Sequence, residues 1–166
     1  MRRLVLLLGV AVLSIGLVQS AMAQATANQT VTLAVNAVYK ISVSGDPGAL
    51  TISNGTAGVD ALTPATDNST SYSITQNVAN TVKITAYMDA VLPAGYTLML
   101  NMASTKGTSA GSIDISNATS GSALDIVTAI NRGADAGQAI GYSFSANASA
   151  GTLSSTSRTV TLTLTN

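Results

Sequence analysis

Chemistry in this 166-residue chain would have to come from serine, threonine, lysine and aspartate, because histidine, cysteine and glutamate are all absent. A hydroxyl becomes a nucleophile only beside a general base, and histidine is the commonest one. The nearest approach to a base-activated serine is Ser104-Thr105-Lys106, in a loop-like stretch that favours a solvated lysine. Zinc would require cysteine or histidine ligands, and the chain has neither. Calcium accepts aspartate oxygens, and Asp60, Asp67, Asp114, Asp125 and Asp135 all fall in or near loops. They are singly spaced and form no D-x-D-x-D-G loop, so they read as turn residues and solubilising charge. The sequence therefore assigns no catalytic, cofactor-binding or metal-ligating residue, and the expectation is a protein that is not an enzyme and needs no cofactor.

Charge excludes further classes. Met1-Arg2-Arg3, an apolar run from Leu4 to Val18 and Ala21-Met22-Ala23 before Gln24 predict a secretory signal peptide over residues 1–23. Its removal implies export to the cell surface or periplasm, with no membrane anchor left behind. The remaining 143 residues, about one domain, carry Lys40, Lys83, Lys106, Arg132 and Arg158 against seven aspartates. A net charge of about −2 leaves no basic patch for nucleic acid. A secreted domain of this size can bury a core without disulfides. Five N-x-[ST] sequons, at Asn28, Asn54, Asn68, Asn117 and Asn147, follow from the Asn-, Ser- and Thr-rich composition. A glycan is a conceivable partner, but the tyrosines make no platform: Tyr39, Tyr96 and Tyr142 fall on apolar faces, Tyr72 shares a face with Ile74, and only Tyr87 lies on a polar one.

The elements that would position any site are strands. Val31–Val43 places Val31, Leu33, Val35, Ala37, Tyr39, Ile41 and Val43 on one face. Thirteen residues at about 3.3 Å each span roughly 43 Å, about twice a common strand. Either the run bends near Asn36 to serve two sheets of one domain, or part of it serves another molecule. Further strands are predicted at Ala49–Ile52, Ser71–Thr75, Thr81–Met88, Tyr96–Met102, Ile113–Ile115, Ala139–Ala146 and Arg158–Thr165, with a possible short pairing around Val59–Leu62. Thr81–Met88 and Tyr96–Met102 read as an antiparallel hairpin around Pro93-Ala94-Gly95. Ala123–Ile130 suits either period; its Ile and Val content favours a strand. Residues 56–70, 103–112 and 131–138 read as connections.

About nine strands with regular turns predict an all-β chain: a single two-layer antiparallel β-sandwich of immunoglobulin-like or jelly-roll type, preceded by the cleaved signal helix. The expected division is a signal peptide at 1–23, an N-terminal extension at 24–36 and the β domain at 37–166.

The signal peptide, the long alternating run from Val31 and the terminal strand Val160-Thr161-Leu162-Thr163-Leu164 resemble secreted bacterial and archaeal fibre or pilus subunits, fimbrial or TasA-like. The resemblance implies a donor-strand architecture in which an extended strand of one subunit pairs with a sheet edge of the next. It makes Val31, Leu33 and Val35 the candidate intersubunit strand and Val160, Leu162 and Leu164 the candidate terminal edge strand. The implied function is a non-enzymatic structural subunit of a filament, pilus or biofilm matrix that self-associates into a homopolymer. The alternative is a monomeric secreted or periplasmic binding module for a glycan or protein ligand.

Overall fold

A computed structural model describes residues 25–166, so the signal peptide expected at 1–23 lies outside the described residues. The chain divides between Ala34 and Val35. In the first unit, residues 25–34 belong to no strand or helix. The second unit holds the nine strands found among the described residues: β1 (Tyr39–Val43), β2 (Ala65–Gln76), β3 (Val82–Met88), β4 (Tyr96–Met102), β5 (Thr108–Ser109), β6 (Ile113–Asp114), β7 (Leu124–Ile130), β8 (Gly133–Ala146) and β9 (Val160–Thr165). Only a 3-10 turn at Ala148–Ala150 interrupts this all-β composition among the described residues.

Two antiparallel sheets result, in the orders β1-β2-β8-β4-β6 and β5-β7-β3-β9. One core cluster draws on both. Tyr72 and Ile74 of β2, Leu98, Leu100 and Met102 of β4 and Ile140 of β8 come from the first sheet; Val82, Ile84 and Met88 of β3 with Ile126, Val127 and Ile130 of β7 come from the second. Alternation explains these strands directly, since β3 and β4 bury every second residue. Tyr96 stacks on Phe144 at 6.2 Å between ring centroids.

Several sequence expectations are corrected. The run from Val31 becomes a strand only at Tyr39, where Gln76 offers the first ladder partner. Asn77 marks that start: its Oδ1 accepts from the Val38 N–H at 2.7 Å and its Nδ2 donates to the Asn36 carbonyl at 2.8 Å. The expected hairpin does not form, because Thr81–Met88 and Tyr96–Met102 contribute β3 and β4 to different sheets. Alternation records which face is buried, and two strands whose buried faces meet across a core read the same as two strands side by side.

Ala49–Ile52 is not a strand; Leu50 and Ile52 pack their half-buried side chains against the core without a ladder. Around Val59–Leu62 only isolated bridges form, Gly55 with Leu62 and Ala61 with Asn147. β2 and β8 are longer than expected, as Ala65–Thr70 and Gly133–Gln138 pair through their backbones despite polar or small side chains. β5 likewise emerges from the expected connection at 103–112. Ala123–Ile130 is the expected strand, with a bulge opposite β3 that holds Ala129 at φ 52°.

Candidate functional site

The site assembles from the outer edges of β1 and β9. Each closes the order of its sheet, and among the described residues no strand pairs with the far side of either. On β1, Tyr39, Ile41 and Val43 sit opposite Gln76, Ile74 and Tyr72, all buried, so their side chains point toward the core. On β9, Val160, Leu162 and Leu164 sit opposite the buried Met88, Ala86 and Ile84 and also face the core. Yet these inward rows are incompletely covered: Tyr39 is 38% and Val43 53% exposed, and Val160, Leu162 and Leu164 are half-buried. Tyr39, on an apolar face as its alternation predicts, thus sits at the rim of the core rather than within it.

The backbone at these edges has a defined pattern. The Asp89 N–H donates to the Thr159 carbonyl at 3.0 Å, while the Met88 N–H points the other way, to the Ala118 carbonyl at 3.0 Å. Bonded and non-bonded pairs alternate in an antiparallel ladder, so Thr161, Thr163 and Thr165 bond toward β3. Val160, Leu162 and Leu164 therefore turn their N–H and C=O groups to the free edge. The same logic on β1 starts from the Asn77 N–H to Val38 carbonyl bond at 3.4 Å and the Ser44 N–H to Ser71 carbonyl bond at 2.9 Å. It leaves Tyr39, Ile41 and Val43 outward. The two edges border one opening, where a cavity of about 310 Å³ is lined by Tyr39, Leu164, Thr165 and Asn166.

The other sequence-chosen residues, Val31, Leu33 and Val35, are 67%, 86% and 88% exposed and belong to no strand. An apolar row at strand spacing thus exists without a sheet, and two sheet edges exist without a strand.

The aspartates tie loops. Asp135, buried on β8, accepts from the Ser104 hydroxyl (3.0 Å), the Thr105 hydroxyl (2.7 Å) and the Thr105 and Lys106 amides (2.9 and 3.2 Å). Burial opposes its ionisation, but the donors from Thr105, Ser104 and Lys106 outweigh burial and hold its carboxyl below the ordinary range. The Ser69 hydroxyl and amide lower Asp67 in the same way. Asp60 accepts from Ser149, Asp114 from Ser116, and Asp125 pairs with Lys83 at 2.8 Å. Among the described residues no three His, Cys, Asp or Glu side chains converge on a point that could hold a metal ion. Burial raises the phenols of Tyr72 and Tyr142. Ser104 faces Asp135, and Lys106 meets the Ser104 hydroxyl only through its backbone amide.

Gly107-Thr108-Ser109-Ala110-Gly111 carries the G-x-S-x-G spacing of a nucleophile elbow. It lies on and beside β5, where no helix follows, and the Ser109 hydroxyl accepts from the Gly111 N–H at 3.1 Å. With no histidine in the chain it has no base of the usual kind. The sequence reading also missed Tyr39, Ile41 and Val43 as edge residues; their alternation was visible, but nothing in it says where a sheet stops.

A second depression, about 220 Å³, lies on β2, β4 and β8 and is lined by Thr66, Asn68, Asn101 and Ser143 around Gly141. The chain matches no family model, no curated protein and no solved structure.

Proposed function

We propose that this chain is a non-enzymatic structural subunit of an extracellular filament, pilus or biofilm matrix, exported by its signal sequence. In this reading the two sheets form a two-layer β-sandwich, and copies join into a homopolymer by strand exchange or augmentation. One observation carries it: β1 and β9 leave two bare edges around one opening, while Val31, Leu33 and Val35 hold an apolar row with no sheet to lie on. Soluble β-proteins guard long edges with charge, proline or a covering segment. β9 carries no charged residue at all. Covering each of Val31, Leu33 and Val35 in a neighbour contributes roughly 1.5–3 kcal/mol of apolar burial, ahead of the main-chain bonds that an added strand supplies.

The test is electron microscopy of the mature protein beside a variant lacking residues 24–35. Filaments that disappear on deletion support the reading. A monomer at high concentration, unchanged by the deletion, sinks it.

The alternative of a binding module draws on the depression around Gly141, whose Asn68, Asn101, Thr66 and Ser143 side chains are neutral and free to meet sugar hydroxyls. Glycan-array binding lost in Asn101→Ala, by a protein that stays monomeric, favours that alternative.

A further inference from the structure

Resting on the strand-exchange reading, the geometry points to one docking mode. Residues 31–35 of a second copy add to the outer edge of β9, antiparallel to it, with Val31 opposite Leu164, Leu33 opposite Leu162 and Val35 opposite Val160.

The edge is chosen by chemistry. Both β1 and β9 are open, but the second sheet has four strands against five in the first, and an added strand on β9 makes them equal. Beside β9 the outward residues of the arm, Thr32 and Ala34, fall next to Thr163 and Thr161; beside β1 they would fall next to Lys40 and Ser42. Cross-strand threonines pair well on a pleated face, whereas a lysine at an edge opposes strand addition.

The register follows from faces. Residues directly opposite in a ladder share a face, so Val31, Leu33 and Val35 point into the opening only when set against Val160, Leu162 and Leu164. A slip of one residue turns all three to solvent. A slip of two sets Val31 against Asn166 in one direction and Val35 against Arg158 in the other. The chosen register also meets the free N–H and C=O groups of Val160, Leu162 and Leu164 with those of the arm.

The direction follows from where the chain enters β1. Tyr39, at the start of β1, and Leu164, Thr165 and Asn166, at the end of β9, line one cavity and mark one end of the opening. β1 runs away from that end and β9 runs toward it. An arm antiparallel to β9 therefore leads to its own β1 at the far end, where Val43 and Val160 lie. A parallel arm would bring the donor to the Tyr39 end, where the acceptor's own Val35–Val38 already enters. Antiparallel docking repeats head to tail without that collision, an open heterologous contact that makes fibres.

The absence of cysteine makes the test clean. Single-cysteine chains are mixed in pairs, assembled, oxidised mildly and analysed by non-reducing gel and peptide mass. Opposite residues of a bonded antiparallel pair stand about 5.5 Å apart at Cα, within disulfide reach. Leu33→Cys with Leu162→Cys, and Val31→Cys with Leu164→Cys, are expected to cross-link several-fold more than Leu33→Cys with Ile41→Cys or Val31→Cys with Val160→Cys. Thr32→Cys with Thr163→Cys repeats the register on the solvent face, where no core packing is disturbed. Filaments in which the 33–41 or 31–160 pair dominates overturn the docking mode and leave strand exchange standing. Absence of assembly in the unmodified chain, with every pair at the collision level, overturns both.

Discussion

The two flanks of the molecule treat their sheet edges in opposite ways. On one flank, β5 and β6 are two residues each, and residues 110–112 carry the chain directly from one sheet to the other. Gly111 turns there at φ 78°, and the Ala110 and Ile115 amides donate to the Ile126 and Leu98 carbonyls, both at 2.9 Å. Asp135 pins residues 104–106 ahead of β5. On the other flank, β1 and β9 run five and six residues with bare outer edges and apolar rows left half-covered. A single chain thus closes one side with short strands and a tight crossover. Short, covered edges resist other sheets and long bare ones invite them. On the strand-exchange reading proposed above, assembly would fall on the β1–β9 flank.

The largest expected difference concerns how much each flank contributes to the monomer's stability. Ile84→Ala, at a fully buried position on β3, should cost about 4 kcal/mol, whereas Leu162→Ala, opposite Ala86 on the neighbouring β9 and half-buried, should cost about 1 kcal/mol. Urea unfolding of the monomer measures both, and equal costs would mean that β9 is not an open edge.

Next comes the Asp135 clamp on the closed flank. Asp135→Asn should cost about 2 kcal/mol at pH 7, as several charge-assisted bonds weaken together. The folded carboxyl is held below its ordinary value of about 4, so its contribution is complete above that value and lost as pH falls through the folded one. The stability gap between the unmodified protein and the Asp135→Asn variant should therefore narrow on acidification, and a gap that is constant from about pH 7 to about pH 3 would break the account.

Gly107→Ala should cost about 1–3 kcal/mol, because a Cβ there would stand 2.7 Å from the Thr128 carbonyl oxygen and 2.6 Å from Ile130 Cγ1. The closed flank should tolerate no added atom, and an unchanged thermal midpoint would show that it relaxes freely. The smallest effect is at Ala129, whose φ of 52° on β7 is left-handed. Ala129→Gly should stabilise by about 0.5 kcal/mol after the entropy cost of glycine, again read from the urea midpoint.

Much of this was legible from residue order. Val82, Ile84, Ala86 and Met88, like Tyr96, Leu98, Leu100 and Met102, alternate because each strand buries one face. Their assignment to two sheets was not legible, since side-chain period carries no information about which backbone lies alongside. Gly133–Gln138 was hidden for another reason. Glycine, alanine and aspartate there resemble a turn, but backbone pairing with β2 holds the segment as a strand although most of its side chains are small or polar. Asp135 looked like a loop charge because its partners, Ser104, Thr105 and Lys106, are distant in sequence. At the candidate site the alternating row from Val31 was plain, whereas the point at which the sheet takes it up depends on Asn77 and Gln76, on and just beyond a different strand.

The most direct test is residue-resolved hydrogen exchange on the monomer and the assembled protein. Assembly at the β1–β9 flank should slow exchange of the Leu162 and Leu164 amides, free at the edge of the monomer, together with those of Leu33 and Val35. The amides of β5 and β6 should exchange alike in both states. Protection that rises at β5 and β6 while Leu162 and Leu164 stay fast would contradict the account.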